Sequence, residues 1–140
     1  MDTIRACISF QAGAASKVIA RMARARLAPH GITPIQFAVL HAVSEAPDQT
    51  AAEVGAALII DSATIVGVID RLAHMELVSR QPDPDDRRVK RLSLTAQGAA
   101  ALPKLRAVMD DLNAEIDAIL GPAAGDVRES LQALVDLPTN

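Results

Sequence analysis

The chain of 140 residues contains no tryptophan, no tyrosine and only two other ring residues of the benzenoid kind, Phe10 and Phe37. That excludes an immunoglobulin-like sandwich built around a core tryptophan and an RNA platform that stacks bases on aromatic rings. Cysteine is nearly absent too. Cys7 stands alone, so no internal disulfide can form, and this usage fits a reducing compartment. No run of about 18 uninterrupted apolar residues occurs, so no membrane-spanning helix is expected. Asp2 and Arg5 lead into a mixed segment rather than the apolar core of a signal peptide. A cytoplasmic protein with no membrane partner is expected. His30, His41 and His74 form no His-x-x-x-His pair, and no Cys/His cluster has zinc spacing, so neither metal nor cofactor is expected. Gly-rich phosphate loops and serine elbows are missing as well, which speaks against an enzyme.

What is present is a chain that is 50% hydrophobic and 22% charged. A chain of this size buries roughly 65–70% of its unfolded surface, enough for one self-sufficient domain over residues 1–140. The net charge of −3 is unevenly placed. Residues 1–44 carry five bases against Asp2, and residues 80–91 carry five bases against three acids; the remainder is acidic. Two local basic zones, rather than a globally basic footprint, are therefore on offer to an anionic partner.

Periodicity predicts a mainly helical protein with a small hairpin. Residues 3–27 read as a helix carrying Ile4, Ile8, Val18, Ile19 and Met22, ended by Pro29 and Gly31. Thr33 before Pro34 is an N-cap followed by a proline at the first helical position. It opens a helix over 34–46 that is apolar on two sides and must pack on two sides. Thr50 and Glu53 form a capping box for a short helix over 51–58. Asp61 caps a helix over 62–75 with Ile65, Val68, Ile69 and Leu72 inward. Helix, tight turn, helix is the pattern whose second helix enters a DNA groove. Residues 77–80 and 89–94 alternate around the turn-forming segment 81–86, a hairpin that must lean on the helices because a lone one is marginal. Thr95 then caps a long helix to about Leu120, with a kink expected at Pro103. Its apolar positions Leu102, Leu105, Met109, Leu112, Ile116 and Ile119 follow a heptad seam. Val127, Leu131 and Leu134 mark a last helix. A helix-turn-helix followed by a hairpin is a winged helix, here flanked by dimerisation helices at 3–27 and 96–137, with the winged lobe at about 34–95. Long apolar seams at both ends are most economically buried in a two-fold homodimer, with Ile4, Ile8, Leu112, Ile116, Ile119, Leu131 and Leu134 at the interface.

The stretch Asp61-Ser62-Ala63-Thr64-Ile65, then Ile69-Asp70-Arg71-Leu72 and Leu77-Val78, carries a resemblance. So does Pro82-Asp83-Pro84-Asp85-Asp86-Arg87-Arg88, followed by Leu92-Ser93-Leu94-Thr95 and Gly98. Together they resemble the MarR family of transcriptional regulators, and the wing signature Asp-x-Arg-x-x-x-Leu-x-Leu-Thr-x-x-Gly is filled at every fixed position. The resemblance spans essentially the whole chain. It implies a triangular homodimer that binds palindromic double-stranded operator DNA, usually as a repressor released by a small molecule held between the first, second and fifth helices. Two departures matter. Glu76 stands where glycine is common after the recognition helix, and Gly67 stands where a long polar side chain is common. The outward face, Ser62, Ala63, Thr64, Val66 and Gly67, then offers hydroxyl and methyl contacts but no arginine fork for guanine.

Around that face the candidate DNA contacts are Arg71, Arg87, Arg88 and Lys90. Arg87 or Arg88 suits a narrow minor groove, and Asp86 suits bracing an arginine. Arg71 reads equally as a phosphate clamp or as the partner of a wing aspartate. Lys17, Arg21 and Arg24 share one face of the first helix, with Arg26 on nearly the opposite side. Arg21, Arg24 and Arg26, with Phe37 and His41 on the second helix, suggest an anionic, partly apolar effector: an aromatic carboxylate or its CoA thioester. The expected function is a ligand-responsive repressor of a catabolic operon. The alternatives are a redox-sensing repressor using Cys7, which resembles the position of the reactive thiol in peroxide-sensing relatives but lacks their tyrosines, and a small enzyme or interaction module.

Overall fold

In the computed structural model, which describes residues 3–138, every predicted helix forms, and local chemistry explains its ends. Cys7 is extended (φ −79°, ψ 118°) and separates a single 3-10 turn, Ile4–Ala6, from helix α1, Ile8–Leu27. The first helix therefore starts five residues later than its periodicity predicts. Helix α2, Pro34–Glu45, opens on a full capping box: Gln36 N–H donates to Thr33 Oγ1 at 3.3 Å, and Thr33 N–H donates to Gln36 Oε1 at 3.0 Å. This satisfies Gln36, the one buried polar residue among those described. Thr50 and Glu53 do the same for α3, Ala51–Ala57. Asp61 caps α4, Ser62–His74.

The axes of α3 and α4 turn by 115°, the geometry of a helix-turn-helix. The turn between them places Ile59 at φ +55°, and the exit of α4 places Glu76 at φ +59°. Both are left-handed positions that disfavour a side chain. Strands β1, Val78–Pro82, and β2, Lys90–Leu94, pair antiparallel, Val78 facing Leu94 and Pro82 facing Lys90. The hairpin does not stand alone. Asp48 N–H donates to the Leu92 carbonyl at 3.0 Å, and Leu92 N–H donates to the Gln49 carbonyl at 2.8 Å. The chain after α2 thus ties β2 to the body.

Helix α5, Ala96–Leu120, runs through Pro103 without interruption, and α6, Ala124–Val135, follows a 3-10 turn. Thr95 Oγ1 accepts from Gly98 N–H at 3.0 Å and donates to the Glu76 carbonyl at 2.6 Å, pinning the start of α5 to the end of α4. Gly98 is required there. A Cβ would lie 2.1 Å from the Leu77 carbonyl oxygen. The core joins Leu27 of α1, Val39, Leu40 and Val43 of α2, Val54 of α3, Ile65, Ile69 and Leu72 of α4, Leu92 of β2, and Leu102 and Leu105 of α5. Helix α2 packs against α1, α3, α4, α5 and β2, as its two apolar sides require.

The seam of α5 divides. Leu102, Leu105 and Leu112 are buried within the single chain, whereas Ile119 is 70% exposed. Leu112 is thus a protomer core residue, because α1 packs along α5. Ile116 is half-buried. Ile4, Ile8, Leu131 and Leu134 stay exposed.

Candidate functional site

The outward face of α4 is built by its cap. Asp61 Oδ1 accepts from Thr64 N–H at 2.8 Å, and Asp61 Oδ2 accepts from the Thr64 hydroxyl at 2.6 Å. These bonds, the hydroxyl first, hold the Asp61 carboxyl below the usual carboxylate range. Burial of Ile65, Ile69 and Leu72 turns the opposite side outward, so Ser62, Ala63, Thr64, Val66 and Gly67 are all exposed. At Gly67 an added Cβ would meet nothing within 4 Å, so the helix is bare there without packing demanding it. Thr64 departs from the sequence expectation in one respect. Its hydroxyl proton is already donated, so it faces outward as an acceptor only.

Two grooves flank this face. One runs between α4 and the entry to α2 and is lined by Thr64, Gly67 and Arg71 with Thr33 and Gln36. The other runs between α4 and the hairpin and is lined by Val66, Asp70, Arg80 and Lys90. Val66 and Lys90 are therefore brought together, and so are Thr64, Gly67 and Arg71. Arg71 has no carboxylate within 4 Å among the described residues. Asp83 and Asp86 bond elsewhere, and no wing aspartate lies within 4 Å of Arg71, so the bracing reading of Arg71 falls away.

Those aspartates organise the hairpin tip. Asp83 accepts from Arg91 Nε at 2.7 Å and from the backbone N–H of Asp85 and Asp86. Asp86 takes Arg88 in a fork, Nε and Nη2 each at 3.0 Å, the bracing the sequence suggested. Arg91 first, then the backbone donors, pull the Asp83 carboxyl down; Arg88 does so for Asp86. Arg88 remains 91% exposed at its side chain despite the fork. Arg87 is exposed and, among the described residues, has no carboxylate partner.

The candidate effector residues are less unified. Arg21 and Arg24 lie exposed on α1, while Arg26 faces α5 and pairs with Glu115. Phe37 and His41 stack edge to face with centroids 5.8 Å apart, and His41 Nδ1 lies 3.4 Å from Glu45. Arg106 was passed over in the sequence, although it flanks the seam directly after Leu105. Its Nη2 donates to Ser44 Oγ at 2.7 Å, and Ser44 Oγ donates to the His41 carbonyl at 2.7 Å. Its Nε is buried with no acceptor, an arrangement that costs about 1–3 kcal/mol unless a partner arrives.

Cys7, as the N-cap of α1, places Sγ 3.1 Å from Ser9 Oγ. The Ser9 hydroxyl, then the Phe10 and Ser9 backbone N–H groups, lower its thiol below the ordinary value. The donors come from the start of the helix itself. No group of three or more metal-ligating side chains occurs among the described residues, and no single helix there is long and apolar enough to cross a membrane.

Comparison with known proteins places this geometry. A model described as MarR family matches residues 30–89. The HTH-type transcriptional regulator MhqR of Bacillus subtilis (strain 168) is 34% identical over 91 residues, 65% of this chain and 61% of that relative. The HTH-type transcriptional repressor NicR of Pseudomonas putida is 44% identical over 71 residues, 51% of this chain and 45% of that relative. The matched stretches thus span about half to three fifths of these curated relatives. Among solved structures, a mutant MarR from E. coli complexed with operator DNA superposes with a TM-score of 0.84 at 28% identity, covering 99% of this chain and 100% of that one.

Proposed function

We propose that this chain, which is similar to the MarR family over residues 30–89 and to an operator-bound MarR over nearly its whole length, is a homodimeric, DNA-binding transcriptional regulator of that family, a repressor released from palindromic operator DNA by an anionic, partly apolar effector. One observation carries the DNA-binding part. The exposed face of α4 shares grooves with Arg71 on one side and Lys90 on the other, and the wing beyond presents Arg87 and Arg88. A helix in the major groove would then read bases with Ser62, Ala63, Thr64 and Val66, while the unpaired cations hold phosphates. With no arginine fork on the helix, direct readout is modest, and selectivity leans on the wing in the minor groove. The fold-level match to an operator-bound relative supports this reading.

The effector part rests on charge and surface. Among the described residues Arg21 and Arg24 meet no carboxylate within 4 Å, whereas Arg26 is neutralised by Glu115, which weakens the case for a ligand with several phosphates. Phe37 and His41 supply an apolar and a polar contact on α2. Release works by population shift: the effector must bind the DNA-incompetent arrangement of the two lobes better than the competent one. A gel-shift titration on the DNA upstream of this protein's own gene tests the regulator reading. A sequence-selective shift that a panel of aromatic acids or their thioesters reverses is expected; no selective shift overturns it.

A second reading is favoured by the hydrogen-bonded, pKa-lowered thiol of Cys7: redox-controlled release. Peroxide releasing the parent protein from DNA but not Cys7→Ser would establish it, and an unchanged peroxide response in the mutant would dismiss it.

A further inference from the structure

We propose that Thr64 reads the operator by chemical group rather than by single base. It accepts a hydrogen bond from the exocyclic amino group of adenine or cytosine and rejects guanine and thymine at the position it faces. This rests on the DNA-binding reading above and adds the polarity of one contact within it.

The cap of α4 fixes the direction of this hydroxyl. A threonine hydroxyl offers one donor and two acceptor sites, and ordinarily rotates to suit whatever it meets. Here the Thr64 proton goes to Asp61 Oδ2 at 2.6 Å, while Asp61 Oδ1 holds the Thr64 N–H at 2.8 Å. The same two bonds, the hydroxyl first, hold the Asp61 carboxyl below the usual carboxylate range, so it is ionised at neutral pH and has no proton to return. A hydrogen bond to an ionised carboxylate is roughly twice as strong as one between neutral groups. A base carbonyl would therefore have to draw the proton from the better acceptor. What Thr64 turns outward is a lone pair.

Position gives that lone pair access to a base edge. Thr64 is exposed in the first turn of α4, and the N-terminal residues of the second helix of a helix-turn-helix are those that contact bases. Gly67 and Arg71 follow on the same side, and the three residues line one groove. At Gly67 there is no side chain to hold the duplex away, and open space lies around it, so the short Thr64 side chain is not outreached by its neighbour. In the major groove adenine N6 and cytosine N4 are donors, whereas guanine O6 and N7 and thymine O4 are acceptors. Each base pair thus sets an amino group on one strand against a carbonyl on the other. An acceptor-only side chain does not separate adenine from cytosine, but it separates both from the bases they pair with. The result is an operator position defined as amino against carbonyl, where a bidentate side chain would specify a single base.

The test starts from a duplex that the full chain selects out of a random-sequence library, followed by anisotropy titration of every single base-pair substitution. At one position in each half-site, adenine and cytosine are expected to bind alike, with guanine and thymine roughly five- to tenfold weaker. Asp61→Asn is the sharpest variant. Asparagine caps a helix as well as aspartate does, and the Thr64 backbone N–H claims its amide oxygen. Its amide N–H then faces the Thr64 oxygen and frees the hydroxyl proton, so preference at that position is expected to move toward guanine and thymine. A merely structural role for Asp61 would instead weaken all sequences alike. Thr64→Val keeps the shape without the hydroxyl and is expected to erase discrimination there alone. Unsubstituted purine in place of adenine, which removes only the amino group, is expected to cost the parent protein roughly fivefold and Thr64→Val nothing. Circular dichroism establishes that the variants are folded; should Asp61→Asn be unfolded, the purine comparison decides. An amino preference unchanged in folded Asp61→Asn, discrimination that survives Thr64→Val, or an equal purine effect in both proteins overturns the Thr64 assignment while keeping the regulator. A parent protein that selects no sequence overturns both.

Discussion

Two glycines show opposite physics. At Gly67 a methyl group would enter open space, while at Gly98 it would strike the Leu77 carbonyl at 2.1 Å. Gly67→Ala should therefore stabilise the fold by about 0.5–1 kcal/mol, the usual gain in a helix interior. Gly98→Ala should lose about 1–3 kcal/mol or more through overpacking. Urea denaturation of the pair checks both signs, and a destabilised Gly67→Ala would show that packing, after all, requires the bare position. The wing arginines differ in a similar way. Arg87 has no carboxylate partner among the described residues, whereas Arg88 is held by Asp86. Each alanine substitution should weaken DNA binding uniformly across sequences and lower the salt slope by about one per lost phosphate contact. Asp86→Ala, which frees Arg88 without removing it, should leave that slope nearly unchanged. Slopes from titrations at several salt concentrations decide this.

Among the elements, the turns carry strain and the wing carries part of the pH dependence. Ile59 and Glu76 hold φ of +55° and +59°, each costing roughly 1–2 kcal/mol for a residue with a side chain. Ile59→Gly and Glu76→Gly should each recover about 1 kcal/mol, read as a higher denaturation midpoint. The wing works through Asp83 and Asp86, whose folded carboxyl pKa values lie below the ordinary range because of Arg91 and Arg88 respectively. A depressed folded pKa means stability that is present above the unfolded value, near 4, and lost as pH falls through the folded one. The protection of the hairpin amides, taken relative to their intrinsic exchange rates at each pH, should therefore stay high at neutral pH and fall below about pH 4. Asp83→Asn should flatten that dependence.

For the proposed homodimer, the exposed apolar positions decide where the second copy would sit. Ile8 and Ile119 are each 70% exposed, Leu131 and Leu134 about half exposed, and Leu112 only 2% exposed. Leu131→Asp with Leu134→Asp should give a folded monomer by light scattering and circular dichroism. Leu112→Asp should instead unfold the protomer, since it places an unpaired charge inside it. A folded dimer from the first variant would move the interface elsewhere.

The amino-acid sequence by itself determined the elements and their order, because the signals are local. Thr33, Thr50, Asp61 and Thr95 each act on a backbone group within three residues, and apolar spacing decides which face turns inward. The outward face of α4 was legible for the same reason: a cap and a buried stripe leave only one side of the helix exposed. Tertiary structure decided what depends on partners far apart in the chain. Arg26 looked like part of a free cationic group until Glu115, 89 residues on, neutralised it. Leu112 looked like half of an intermolecular seam until α1 packed along α5 and buried it. Arg106 carries no signal of its own in the sequence; only the fold sets it against Ser44, 62 residues away. Spacing along a helix fixes which face a side chain is on; only the packing of helices fixes what that face meets.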